Sequence, residues 1–155
     1  MKKIVDKLIT RKETIATMES CTGGGIANAI TNIPGASEII KFSAVTYSNE
    51  YKIKMGVNAS TIDTYSVYSK EVACEMSKEI SLFANSTYGV GVTGKIDRED
   101  PNNLRGDVNT IFVSIYNSNL DNYITKKIEL PLLSRNECKE IIIEAIKKLL
   151  LSILE

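Results

Sequence analysis

Histidine is absent from this 155-residue chain, so proton transfer at neutral pH must run through other side chains. A Ser-His-Asp triad, a Cys-His pair and nearly every histidine-bearing zinc site are excluded. The richest stretch for chemistry is Met18-Glu19-Ser20-Cys21-Thr22-Gly23-Gly24-Gly25. Ser20 is a candidate nucleophile, and without histidine it needs a lysine kept neutral by burial or by nearby positive charge. Lys52 is that candidate, and Tyr47 is placed to relay a proton or orient the amine. Spacing alone leaves a plainer reading open, with Tyr47 a strand-end aromatic and Lys52 a solvated charge. Cys21 competes with Ser20, because a helix start favours a thiolate, yet neighbouring side chains on a turn point in different directions. Thr22 adds a second hydroxyl, and Gly23, Gly24 and Gly25 let a ligand approach the backbone closely. Thr93-Gly94 can bring a hydroxyl and an N–H to the same place, and Arg135 can grip a phosphate in bidentate fashion. An ordinary strand end and a surface arginine are the competing readings of those two.

These residues need a common edge to meet on. The apolar run Thr14 to Met18 reads as a strand, the glycines as the corner after it, and the residues to Thr31 as a helix. The first turn of a helix offers free N–H groups to an anion or a developing oxyanion. A helix over Lys2–Thr10 precedes that strand, and Asn32-Ile33-Pro34-Gly35 breaks the chain after it. The β-branched and aromatic residues of Glu38–Tyr47 predict a second strand, and Ser48-Asn49-Glu50 opens a short helix closed by Gly56. Ser69-Lys70-Glu71 opens a longer helix that ends at Asn85-Ser86. Tyr88–Gly94 is a third strand, whose alternating glycines imply close packing of a neighbouring element. Lys95 to Asp107 reads as a long loop of the kind that tends to be functional. Val108–Tyr116 and Tyr123–Leu130 predict an antiparallel hairpin, and a final helix runs from Arg135 to Leu154. The order predicts one α/β domain over residues 1–155, layered around a mixed sheet of about five strands. The Leu149-Leu150-Leu151 cluster either packs on that sheet or marks a subunit interface.

Composition narrows the function classes. Nineteen basic and nineteen acidic residues give a net charge of zero, which argues against nucleic acid or an anionic membrane as the main partner. Three cysteines at unrelated spacings, Cys21, Cys74 and Cys138, predict reduced thiols, a cytoplasmic setting and no zinc motif. The N-terminus carries charges every few residues and does not read as a signal peptide. No apolar stretch is long enough to span a bilayer.

Three blocks carry a resemblance: Met18-Glu19-Ser20-Cys21-Thr22-Gly23-Gly24, Ile33-Pro34-Gly35-Ala36-Ser37, and Val45-Thr46-Tyr47-Ser48-Asn49-Glu50-Tyr51-Lys52 with Met55-Gly56-Val57. Together they resemble the CinA C-terminal domain family, which includes stand-alone nicotinamide-nucleotide amidases of the PncC type. The resemblance implies a three-layer α/β/α fold. It also implies hydrolysis of the carboxamide of nicotinamide mononucleotide to nicotinic acid mononucleotide and ammonia. By matching position, Ser20 would be the nucleophile, Lys52 its base and Tyr47 the assisting hydroxyl. Thr22, Gly23 and Gly24 would line the substrate or oxyanion region, with Thr93, Gly94 and Arg135 as further substrate-binding positions. No metal or organic cofactor is implied; the partner is a small nucleotide substrate, and a homodimer is common among relatives. The sequence departs from the family after Gly94. A glycine-rich loop is expected there, and this chain has Lys95-Ile96-Asp97-Arg98-Glu99-Asp100-Pro101 instead. The alternative function is therefore an inactive or altered-specificity relative that binds a nucleotide or a partner protein.

Overall fold

The computed structural model describes residues 1–155. Five strands form one sheet in the order β2-β1-β3-β4-β5. They are β1 (Ile15–Glu19), β2 (Ser43–Val45), β3 (Tyr88–Gly94), β4 (Thr110–Asn117) and β5 (Asn122–Glu129). The pairs β2–β1 and β1–β3 are parallel, whereas β4 and β5 are the expected antiparallel hairpin. Six helices surround the sheet: α1 (Lys2–Arg11), α2 (Gly25–Thr31), α3 (Asn49–Lys54), α4 (Ala59–Tyr65), α5 (Lys70–Ala84) and α6 (Arg135–Ile153). This is the α/β architecture with a mixed sheet that the element order predicts.

The alternation of β1 divides the core between two layers. Ile15 joins the cluster formed with Ile4, Leu8, Ile26, Ile142 and Leu150 from α1, α2 and α6. Ala16 and Met18 join the opposite cluster with Val72, Met76 and Ile80 of α5. Period-2 alternation in the strand meets period-3.6 stripes on the helices, so each face of the sheet has its own cover. Cys138, Ile142, Ile146 and Leu150 form the buried stripe of α6. Leu149 and Leu151 pack, partly buried, against the same core.

The glycines of β3 fit α5 as their alternation implies. A Cβ on Gly89 would lie 1.8 Å from the Ser77 carbonyl oxygen, and one on Gly91 would lie 2.3 Å from that of Ala73. The helix backbone therefore sits directly on the strand, and any side chain at these positions would push it away.

Two elements differ from the sequence-based expectation. The strand predicted over Glu38–Tyr47 pairs only at Ser43–Val45, and Ala36–Glu38 form a 3₁₀ turn. Gly35 takes a positive φ of 89°, and the amides of Glu38, Ile39 and Ile40 are then satisfied locally by the carbonyls of Gly35 and Ala36. Those donors are no longer available to a strand ladder. Helix α4 was not expected. Its start is capped from a neighbouring helix: Glu75 of α5 accepts from the Asn58 amide at 2.7 Å and the Thr61 hydroxyl at 2.6 Å.

Candidate active site

The chain leaves β1 for β2 on one side and later crosses to β3 on the other, so the carboxyl end of β1 is a topological switch point. Ser20 follows β1 directly and is tied to β3 by its amide, which donates to the Val92 carbonyl at 3.2 Å. Thr46 follows β2 and donates its amide to the Glu19 carbonyl at 2.8 Å. Lys52 comes from α3, whose start is capped by the Ser48 hydroxyl accepting from the Tyr51 amide.

Lys52 turns inward and is 1% exposed. Its Nζ lies 3.2 Å from Ser20 Oγ and donates to the Thr46 carbonyl at 2.8 Å. Burial lowers the amine to about 8, against smaller upward pulls from Cys21 and Asp100. The nearest groups are thus a carbonyl and a hydroxyl, with no carboxylate hydrogen-bonded to hold the charge. A serine hydroxyl beside an amine that is largely deprotonated above pH 8 is the pairing that histidine-free nucleophilic catalysis requires.

The corner itself is built on Glu19, which is fully buried. Its carboxylate accepts from the hydroxyls of Thr17 at 3.0 Å and Thr22 at 2.7 Å. It also accepts from the amides of Gly24, Ile26 and Ala27 at 3.1, 3.1 and 2.9 Å. The start of α2 is therefore neutralised from within by a side chain of the preceding strand. By contrast, the amides of Cys21 and Thr22, next to Ser20, donate to no other group of the chain. Cys21 is buried, and burial pushes its thiol up to about 12. It is protonated at neutral pH, a poor nucleophile beside Ser20.

A cavity of about 680 Å³ opens in front of Ser20 and Cys21, within the range of small-ligand sites, about 300–1,000 Å³. Tyr47, Gly94 and Arg135 also line it. Tyr47 is 64% exposed, and its hydroxyl accepts from Arg135 Nη2 at 3.3 Å. Arg135 Nη1 donates to the Ile96 carbonyl. The remaining sequence candidates lie elsewhere. The Thr22 hydroxyl is committed to Glu19, and the Thr93 hydroxyl donates to the Val67 carbonyl at 2.9 Å. Thr22, Gly23 and Gly24 line a separate depression between α2 and α6, near Lys139.

The far wall of the cavity comes from the charged segment after β3, and sequence reasoning missed its organisation. Lys95 is buried; its Nζ donates to Glu99 Oε2 at 2.7 Å and to the carbonyls of Leu104 at 3.2 Å and Gly106 at 2.9 Å. The amine also lies 5.3 Å from the centre of the Tyr68 ring. Arg105 fastens the far end of the loop to the carbonyls of Ile62, Asp63 and Thr64 at the end of α4. The one local signal for this was the i, i+4 spacing of Lys95 and Glu99, since the other partners are backbone carbonyls.

No group of three or more metal-ligating acidic or cysteine side chains converges anywhere in the structure. No helix is long and apolar enough to cross a membrane.

Comparison with known proteins agrees with this fold. The family model for the CinA C-terminal domain matches residues 1–154. A CinA-like protein of Desulforapulum autotrophicum is 46% identical over 88 residues, 56% of this chain and 21% of that protein. The chain spans about a fifth of the length of the curated relatives it matches. Among solved structures, a CinA superfamily protein from Enterobacter cloacae superposes with a TM-score of 0.91 at 18% identity, covering 99% of this chain and 89% of that one. A competence/damage inducible protein from Agrobacterium tumefaciens gives 0.87 at 24% identity, covering 99% and 95%. With a family model spanning all but the last residue and the same fold in these structures, the chain belongs to the CinA C-terminal domain family.

Proposed function

We propose that this protein is an amidohydrolase that deamidates nicotinamide mononucleotide, with Ser20 as nucleophile and Lys52 as its base. The observation that carries the reading is the 3.2 Å approach of Ser20 Oγ to a buried Lys52 amine lowered to about 8. Neutral Lys52 takes the hydroxyl proton as Ser20 Oγ attacks the carboxamide carbon, and the C–N bond breaks as the protonated amine returns that proton to the departing nitrogen. Ammonia leaves, and water then hydrolyses the acyl-serine with the same lysine as base. The amide of Cys21, which lines the cavity beside Ser20 and donates to no other residue, is the donor available to the developing oxyanion. The choice of substrate rests on the family resemblance of the residues around Ser20, Tyr47 and Lys52. Arg135 and the exposed Arg98, both in the cavity wall, supply charge for a phosphate.

The test is ammonia release from nicotinamide mononucleotide, nicotinamide riboside and free nicotinamide. Turnover of the mononucleotide should disappear in folded Ser20→Ala and Lys52→Ala proteins. Unchanged turnover in both variants would reject the assignment. Cleavage of the riboside without the mononucleotide would remove the phosphate from the reading.

A further inference from the structure

The cavity wall contains two acidic side chains, Glu99 and Asp100, and they are not equivalent. Glu99 is paired with Lys95 at 2.7 Å. Asp100 has no ion-pair partner and is held by neutral donors instead. Its Oδ2 accepts from the Tyr68 hydroxyl at 2.5 Å and from Asn103 Nδ2 at 2.7 Å, and its Oδ1 accepts from the Asn102 amide at 2.9 Å. Asn103 is itself anchored to α3, because its Oδ1 accepts from Asn49 Nδ2 at 2.7 Å. The buried Lys95, which precedes this cluster in the chain, fixes the backbone that follows it at the Leu104 and Gly106 carbonyls. The result is a rigidly placed anion whose charge its own neighbours do not cancel. Burial opposes that charge, but the bonds from Tyr68, Asn103 and Asn102, with Lys95 nearby, hold the carboxyl below its ordinary range. It is therefore ionised at neutral pH, and its field reaches the Lys52 amine at the reacting end of the cavity.

An anion kept in place without a counter-cation is suited to a ligand that brings one. Resting on the reading above, we infer that Asp100 is a specificity residue that selects ligands with a cationic ring. A nicotinamide joined to ribose through its ring nitrogen carries a permanent positive charge, whereas the reduced 1,4-dihydropyridine form of the same nucleotide is neutral. Ribose, phosphate and carboxamide are common to both, so the ring charge is the one electrostatic difference between them. The carboxylate stands on the charged loop after Gly94, where this sequence departs from the glycine-rich pattern that the resemblance implies.

The inference is tested by calorimetric binding of oxidised and reduced nicotinamide mononucleotide to Ser20→Ala protein, in which turnover is blocked. The oxidised form should bind more tightly. Adding Asp100→Asn should weaken it about tenfold while leaving the reduced form within about twofold, as expected for loss of one partly screened charge interaction. The reduced ligand thereby reports whether the wall has kept its shape. Tyr68→Phe, which removes a hydrogen bond and keeps the carboxylate, should preserve the ratio between the two ligands. Equal weakening of both ligands by Asp100→Asn, no weakening of either, or no binding of either form to the parent protein would overturn the inference. The ammonia assay on the unsubstituted enzyme stands apart: charge-selective binding without turnover sinks the amidase reading alone, and turnover with no selectivity sinks this one alone.

Discussion

Two segments leave neighbouring strands at the same edge of the sheet and face each other across the cavity, and each is organised around a buried charge of opposite sign. After β1, Glu19 collects two hydroxyls and three amides at the start of a helix. After β3, Lys95 collects a carboxylate and two carbonyls within a loop that has no helix or strand of its own. The first draws its partners from Thr17 to Ala27 and is welded to the core. The second gathers a carboxylate and carbonyls of a surface loop. Lys52 lies between them with only a carbonyl and a hydroxyl in reach. The contrast sets the two well-compensated charges apart as scaffolding, and under the proposed mechanism the chemistry falls to the amine left short of partners.

Breaking the first centre should have the largest effect. Glu19→Ala removes the shared acceptor of five hydrogen bonds at the corner and is expected to cost about 3–5 kcal/mol, read as a fall in the denaturation midpoint with activity lost in parallel. Lys95→Met should cost less, about 2 kcal/mol, and should act locally. Hydrogen exchange is expected to rise across residues 95–107 while β1 and β3 keep their protection, with KM rising more than kcat falls. Global unfolding by Lys95→Met, or a merely local effect of Glu19→Ala, would erase the distinction between the two segments.

Lys52 sharpens it from the other side. Its amine falls from 10.5 to about 8 on folding, so below about pH 8 the native state holds a charge that burial disfavours. This group's contribution to stability therefore rises with pH between about 8 and 10.5. Lys52→Met should abolish turnover and gain on the order of 1 kcal/mol at pH 7, once the two lost hydrogen bonds are set against the relieved desolvation. If the proposed mechanism holds, kcat/KM of the unsubstituted protein should climb with pH and level off above about 8. A flat profile from pH 6 to 9 would contradict the assignment of Lys52 as base. The smallest change is expected at the bridge between the two walls. Tyr47→Phe deletes the acceptor of one Arg135 hydrogen bond, about 1 kcal/mol or about fivefold in kcat/KM. A loss of a thousandfold would show that the Tyr47 hydroxyl reaches the reacting atoms.

Much of this was legible beforehand because it depends on local rules. The glycine corner after an apolar strand, the helix-start signal at Ser48, the hairpin and the alternating glycines of β3 each follow from backbone preferences. Ser20 and Lys52 were candidates by residue type, once the absence of histidine had removed the usual base. The strand that forms, Ser43–Val45, is shorter than the Glu38–Tyr47 run suggests, since β-branched composition says nothing about amides already satisfied in a 3₁₀ turn. Helix α4 went unseen because its cap comes from Glu75 in another helix.

The amino-acid order by itself determined the layered α/β plan, the corner that presents Ser20 and the shortage of bases that points to a lysine. Only the tertiary structure decided that Lys52 is buried against Ser20, that Thr22 and Thr93 spend their hydroxyls on the scaffold, and that Lys95 and Asp100 turn a polar loop into a cavity wall. The physical reason is the same in each case. A side chain's charge state and direction depend on the partners that desolvate or satisfy it, and here those are largely backbone carbonyls and residues distant in sequence, which leave no mark on the residue itself.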